Sequence, residues 1–277
     1  MLTAPSSLGE VVRALEALWP LDGAEDWDSP GLTIGDTSSE IKSIHLMVDV
    51  TLATVREAID LGADLIVAHH PLLFRPVSSL PEFSYKGKVI AELIRSETAL
   101  YVAHTNADAV PTGTSAQLAE LLGLVHCQPI VPSKNLGHGL GLIGNLPEPM
   151  QLHDLAAQLG DGLPLTAVGP VVAGDASSLV SSVSLCAGAG DTLLSHRLVQ
   201  DSDVFISSDL RHHPVSESRE QAILGRGPAI INISHFASEW LWLGRAKSEI
   251  GSLMDLKISV SEINTDPWTF QIQRVKG

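Results

Sequence analysis

Cysteine is scarce in this chain: two among 277 residues, Cys127 and Cys186, both in apolar surroundings and in no Cys-x-x-Cys spacing. That argues against a thiolate-type structural zinc site, and both cysteines read as small buried residues. Positive charge is also short. Lys and Arg number 17 against 32 Asp and Glu, a formal net charge of −15. A broad nucleic-acid-binding face needs phosphate-neutralising cations, so this balance leaves room only for a local basic pocket. Long apolar runs are missing too, with none near the ~20 residues of a membrane span. The stretch Met1–Ser7 has neither a basic nor an apolar character, so no signal peptide is expected, and the expected location is the cytoplasm. What remains is 44% hydrophobic and only 18% charged. That is the composition of a folded globular chain with enough length for one large domain or two ordinary ones.

The chain is organised around Asp64-Leu65-Ile66-Val67-Ala68-His69-His70-Pro71. A β-branched apolar run ends abruptly in two histidines and a proline, as a buried strand delivering imidazoles at its C-terminal tip would. Two more stretches have this form. Ala99–Ala103 runs into His104-Thr105-Asn106-Ala107-Asp108, and Ala229–Ile233 into Ser234-His235-Phe236-Ala237-Ser238-Glu239. Ligands of open α/β sheets bind at the C-terminal ends of the strands.

Around these tips the pattern alternates strand and helix. Ser7 to Glu10 forms a capping box before the stripe Val11, Val12, Leu15, Leu18 and Trp19. Residues 21–36 read as an ordered loop leading to a short edge strand. Ile44–Val50 reads as a strand, then a Thr51-capped helix, the strand ending at His69, an irregular segment over 71–86, and a helical stripe Val89, Ile90, Leu93, Ile94. The fold class expected is α/β: a mixed, largely parallel sheet flanked by helices, with a second, smaller α/β domain inserted in the middle of the chain. Pro and Gly between 128 and 140 suggest a junction. Residues 1–128 plus about 228–277 would form a discontinuous metal-binding domain and about 129–227 the insert, with re-entry somewhere in 190–228. Within the insert, Leu165–Val172 and Leu179–Cys186 read as strands. The run Asp203–Pro214 echoes the one leading to His69-His70-Pro71, which fits either a duplicated β-α unit or a chance likeness of two buried strands.

The chemistry these tips suggest is metal binding. His235 and Glu239, spaced i, i+4, share one face if a helix follows the 229–233 strand. Adjacent His69 and His70 diverge and suit two ions side by side; Asp108 could bind one ion and Glu239 could bridge both. Three neutral imidazoles and two carboxylates against two divalent ions leave about +2, which favours an anionic or carbonyl-bearing ligand. Nitrogen and oxygen donors permit Zn, Fe, Mn, Co or Ni. His104 has two readings, a ligand or a partner orienting Asp108. Asp209, His212 and His213 either line the cleft or form a turn. His45, His126, His138, His153 and His196 read as surface or loop residues.

These residues resemble the NIF-three-like family of dinuclear metal-centre proteins, also labelled GTP cyclohydrolase I type-two homologues. The resemblance runs nearly the whole chain: Trp27-Asp28 with Gly31-Leu32 and Gly35, His69-His70-Pro71, His104-Thr105-Asn106 with Asp108, Gly144 to Pro149, Asp209 with His213, and His235 with Glu239. It implies a bimetal site of His69, His70, Asp108, His235 and Glu239, with His104, Asn106, Asp209 and His213 around it, and a ring-like homohexamer with the sites facing an inner cavity. The first functional reading of such a site is a metal-dependent hydrolase of a small nucleotide or phosphorylated substrate, with Glu239 holding the metals and His104 or His213 moving protons; the family label would make the reaction GTP cyclohydrolase-like. The alternative is a metal-binding regulatory or delivery protein without turnover. Three positions depart from the family pattern: Ser29-Pro30 where Asn and an aliphatic residue are common, and Ser208 and Ser234 where Gly is usual. Ser234 is expected to alter the turn presenting His235.

Overall fold

The structure, a computed structural model, describes residues 2–3, 6–135 and 137–272. By contact the chain divides into two compact units, Met1–Val110 with Trp242–Thr265 and Pro111–Leu241 with Asp266–Gly277.

The first unit is a five-stranded sheet. Its strands β1 (Gly31–Ile34), β2 (Ser43–Met47), β3 (Leu65–Ala68) and β4 (Ala99–Val102) are joined by a last strand, Lys257–Val260, in the order Lys257–Val260, β2, β3, β4, β1. All pairings are parallel except β1 against β4. The β3 and β4 residues are buried throughout, as continuous apolar runs in a sheet covered on both faces require. Helix α1 (Leu8–Leu18) has the expected capping box: Glu10 N donates to Ser7 Oγ at 3.3 Å and Ser7 N to Glu10 Oε2 at 2.9 Å. Thr51 caps α2 (Leu52–Asp60) and Ser84 caps α3 (Tyr85–Arg95). The edge strand β1 lies inside the stretch 21–36 that reads as loop, so the strand comes earlier than expected: the apolar Leu32 and Ile34 pair with β4 despite the flanking Gly and Pro. His45 does not lie at the surface. It is fully buried in β2, with Nδ1 2.8 Å from Ser259 Oγ and Nε2 3.1 Å from Glu57 Oε2, because strand β2 is paired on both sides, by Lys257–Val260 and by β3.

The second unit is a six-stranded sheet. Its strands are β5 (Val125–Pro132), β6 (Gly139–Gln151), β7 (Val171–Ala173), β8 (Leu179–Ala189), β9 (Val204–Ser208) and β10 (Ala229–Ile233), in the order β7, β10, β9, β8, β6, β5. β8, β9 and β10 are parallel; β5, β6 and β7 run antiparallel to their neighbours. Its helices are α4 (Thr114–Leu121), α5 (Leu152–Gly162) and α6 (His212–Ile223), with α7 (His235–Leu253) following β10. Leu152, Leu155 and Leu159 are fully buried in a core with Val183, Leu185, Ile206 and Ile231, each such side chain contributing about 1.5–3 kcal/mol. Two expectations change here. The stretch after Leu124 is a strand rather than a junction, because Pro129 and Pro132 are tolerated on an edge that needs few ladder donors. That edge leaves Cys127 exposed, while Cys186 is buried as expected. The strand expected over Leu165–Val172 is reduced to Val171–Ala173, since Gly169 and Pro170 interrupt it.

The two sheets start alike. In the first unit Asp64 Oδ2 accepts from the backbone N of Lys42 and Ser43 at 2.9 and 2.8 Å; in the second Asp203 Oδ2 accepts from Ser181 and Ser182 at 2.9 and 2.8 Å. Asp36 Oδ1 accepts from Ser38 N, and Asp175 Oδ1 from Ser177 N, each at 2.9 Å. A Cβ on Gly35 would come within 2.8 Å of Ala99 Cβ and 2.7 Å of Leu8; one on Gly174 within 2.9 Å of Ala229 Cβ and 2.6 Å of Leu152. Matched hydrogen bonds at matched strand starts favour the duplicated-unit reading of the echo over chance.

Gly35→Ala and Gly174→Ala should each destabilise the chain by about 1–3 kcal/mol through overpacking. Gly35→Ala should cost more, because its φ of +139° also strains any side chain. Urea unfolding of the two variants checks both the sign and the order.

Candidate metal centre

In the first unit the tips of β3 and β4 bring three histidines together. His69, His70 and His104 each offer a ring nitrogen, and these atoms lie within 4.8 Å of one another. Each ring is fixed through its other nitrogen. His69 Nδ1 donates to the Ala103 carbonyl at 2.8 Å, His70 Nδ1 to Asp49 Oδ1 at 2.7 Å, and His104 Nδ1 to Asp28 Oδ2 at 3.0 Å. Carbonyl and carboxylate oxygens only accept, so Nδ1 holds the proton and the lone pair of a neutral ring sits on Nε2. Histidines that bind metal are oriented in this way. Asp108 Oδ1 lies 3.7 Å from His69 Nε2, a pairing that a cation between them would favour.

The support of His104 is dense. Asp28 Oδ2 also accepts from Thr105 N at 3.1 Å and Thr105 Oγ1 at 2.6 Å. Burial pushes the Asp28 carboxyl up, but hydrogen bonds from His104 and Thr105 outweigh it and hold the group down at about 2. Buried Asn106 ties the turn: its Oδ1 accepts from His104 N at 3.0 Å and its Nδ2 donates to the Trp19 carbonyl at 2.8 Å. His69 is backed by Trp242, ring centroids 5.4 Å apart. On the open side Trp27 and Phe74, 59% and 52% exposed, lie 5.9 and 6.2 Å from the His104 ring.

In the second unit β10 ends at Ile233, Ser234 follows, and α7 begins at His235. His235 and Glu239 share one helix face as their spacing requires, with Nε2 2.9 Å from Oε1. Asp209, at the tip of β9, takes His235 Nδ1 at 2.7 Å. Asp209 holds a left-handed φ of 52°, a conformation Asp tolerates better than most residues. Ser234 does not take up the left-handed backbone that favours Gly: its φ is not among the positive values of the described residues. Its Oγ accepts from Ala237 N at 3.2 Å and so caps the helix. Gly188, at φ +69°, is pressed against the donors. A Cβ there would lie 2.4 Å from Glu239 Oε1 and 3.3 Å from His235 Nε2. His213 stands exposed in the first turn of α6, its ring packed against His212 at 5.2 Å.

Each sequence-derived donor is therefore placed within its own unit: His69, His70, His104 and Asp108 in the first, Asp209, His235 and Glu239 in the second. The residue types fit divalent metal: imidazole nitrogens with fixed tautomers beside carboxylates, with no thiolate among them. Sequence reasoning missed the orienting roles of Asp28 and Asp49, and Gly188. The signal for Asp49 and Gly188 was present, since each follows the apolar run of a strand, where His69 and Asp209 were sought.

A family model for Duf34/NIF3 (NGG1p interacting factor 3) matches residues 6–267. A Streptomyces coelicolor protein named GTP cyclohydrolase 1 type 2 homolog is 40% identical over 96% of this chain and 94% of its own length. Among solved structures, the Staphylococcus aureus hypothetical protein SA1388 is similar at TM-score 0.87 and 25% identity, covering 96% of this chain and 100% of that one. A Bacillus cereus protein related to NIF3 shares the fold at TM-score 0.86 and 22% identity, covering 96% and 99%.

Gly188→Ala should cost about 1–3 kcal/mol, because it forces a side chain into a left-handed conformation and against Glu239. Denaturant unfolding of metal-free protein reads the loss.

Proposed function

The chain belongs to the Duf34/NIF3 family, and on that premise we propose that it is a dinuclear divalent-metal protein that hydrolyses a small phosphorylated or nucleotide substrate. The observation that carries this reading is the set of histidines whose Nδ1 atoms are committed to oxygen acceptors, leaving Nε2 as the ligating atom. His69, His70 and Asp108 would hold metal in the first unit, and His235 and Glu239 in the second. The ions would be two of Zn, Fe, Mn, Co or Ni. When bound, such ions supply an acidified water and polarise the electrophile.

The protein's own groups do the rest. Asp49, Asp28 and Asp209 keep the imidazoles in the tautomer that can ligate. Glu239, almost fully buried, holds its carboxylate on the donor face of α7. His104, pinned by Asp28, is placed to carry a proton between the site and solvent. The residual positive charge of the loaded site favours an anionic substrate, in keeping with the cyclohydrolase name of the Streptomyces relative. A homohexamer in the cytoplasm is the setting in which we place this activity.

Elemental mass spectrometry of untagged protein should find two metal equivalents per chain, falling in His69→Ala and in Glu239→Ala. Metal-dependent turnover of GTP or a related nucleotide should be lost in Glu239→Gln while folding persists. Two equivalents without turnover of any nucleotide would favour a regulatory or delivery role. Substoichiometric metal that neither substitution changes, even after reconstitution with excess ions, would sink the site.

A further inference from the structure

Residues 264–266 belong to none of the strand-end motifs, yet two of them reach the groups that orient the donors. In the first unit the Thr265 hydroxyl donates to Asp49 Oδ2, while Asp49 Oδ1 accepts from His70 Nδ1 at 2.7 Å. In the second unit Asp266 Oδ2 accepts from the Ser234 hydroxyl. That same Ser234 Oγ accepts from Ala237 N and caps the helix carrying His235 and Glu239. Asp266 Oδ1 accepts from Trp268 N at 2.9 Å, which steadies the carboxylate. The division between the units falls at the peptide bond joining Thr265 to Asp266.

We infer that Thr265–Asp266 is a positioning element, one dipeptide that fixes the His70 imidazole in the first unit and the seat of His235 and Glu239 in the second. The inference rests on the metal-centre reading above. The physical argument is local. A carboxylate with only one oxygen engaged can swing about its last torsion, which is broad for Asp. With Oδ2 held by Thr265, Asp49 presents Oδ1 to His70 in one direction. A serine hydroxyl has one proton. Donating it to Asp266 leaves the Ser234 lone pairs to accept from Ala237 N, so the cap has one arrangement instead of several. Asp266 also places negative charge near the start of a 19-residue helix, where the macrodipole favours it. Ser234 gains a role by this pairing that a residue without a hydroxyl could not fill.

The test uses full-length Thr265→Val, which keeps the shape and loses the hydroxyl, and Thr265→Ser, which restores it. Asp266→Ala and Asp266→Asn form the second pair, Asn keeping one acceptor oxygen. Two readouts are needed. Hydrogen exchange by mass spectrometry on metal-free protein follows the imidazole C2–H of His70 and the backbone amides of the first turn of α7. Calorimetric titration with Mn²⁺ follows affinity. Thr265→Val should change His70 exchange alone and weaken Mn²⁺ about tenfold, the lower end for loss of an outer-sphere partner, with Thr265→Ser close to the parent. Asp266→Ala should speed amide exchange at 235–239 and weaken Mn²⁺ similarly, with Asp266→Asn recovering most of both. Exchange unchanged in Thr265→Val and Asp266→Ala would overturn the inference. So would altered exchange with Mn²⁺ affinity equal to that of a metal-binding parent. A parent that takes up no metal would instead remove the proposed function, and the exchange data alone would then decide whether the dipeptide positions these side chains.

Discussion

An imidazole can offer a lone pair in a defined direction only when its second nitrogen is committed elsewhere, and the candidate site is arranged around that constraint. His69 leans on the Ala103 carbonyl, His70 on Asp49, His104 on Asp28 and His235 on Asp209. Each partner comes from the end of a different strand, or from the loop before β1, so each sheet must first bring its own strand ends level. The interior of each sheet is largely apolar, with His45 and Ser184 as buried polar exceptions, and the candidate donors collect where the strands stop. The sheet supplies rigidity and the tips supply donors.

The two units reach this arrangement from the same beginning. Asp64 and Asp203 tie the starts of neighbouring strands with the same backbone hydrogen bonds, and Gly35 and Gly174 let the antiparallel edge strand approach in the same way. The strand after Asp64 then ends in His69-His70-Pro71 and the strand after Asp203 in Ser208-Asp209-Leu210. One tip keeps imidazoles and the other keeps the carboxylate that orients one. Divergence at the tips over a like base gives each unit its own polar side chains there.

Much of this was legible in the chain itself, for identifiable reasons. Buried parallel strands write themselves as unbroken apolar runs, so β3, β4 and β10 could be located and their terminal histidines singled out. The i, i+4 spacing of His235 and Glu239 needed only the assumption of a helix, which α7 fulfils. Short-range capping at Ser7 and Thr51 followed from local hydrogen-bonding rules. Less legible were edges. The strand Val125–Pro132 contains two prolines and alternates poorly, because an edge strand places few demands on its residues. His45 was misread because a polar residue in a strand announces neither burial nor partner; Glu57 satisfies it from the next helix and Ser259 from far along the chain.

The sequence by itself determined the fold class, the strand tips and the donor types, since periodicity, apolar runs and residue chemistry are local properties. Only the tertiary structure decided which oxygen holds each imidazole, that Ser234 caps its helix under Asp266, and that Gly188 must lack a side chain to admit Glu239. The imidazole partners are brought within hydrogen-bond reach from positions 21 to 76 residues apart. No local pattern encodes such proximity, because it arises from how the strands are ordered in the sheet.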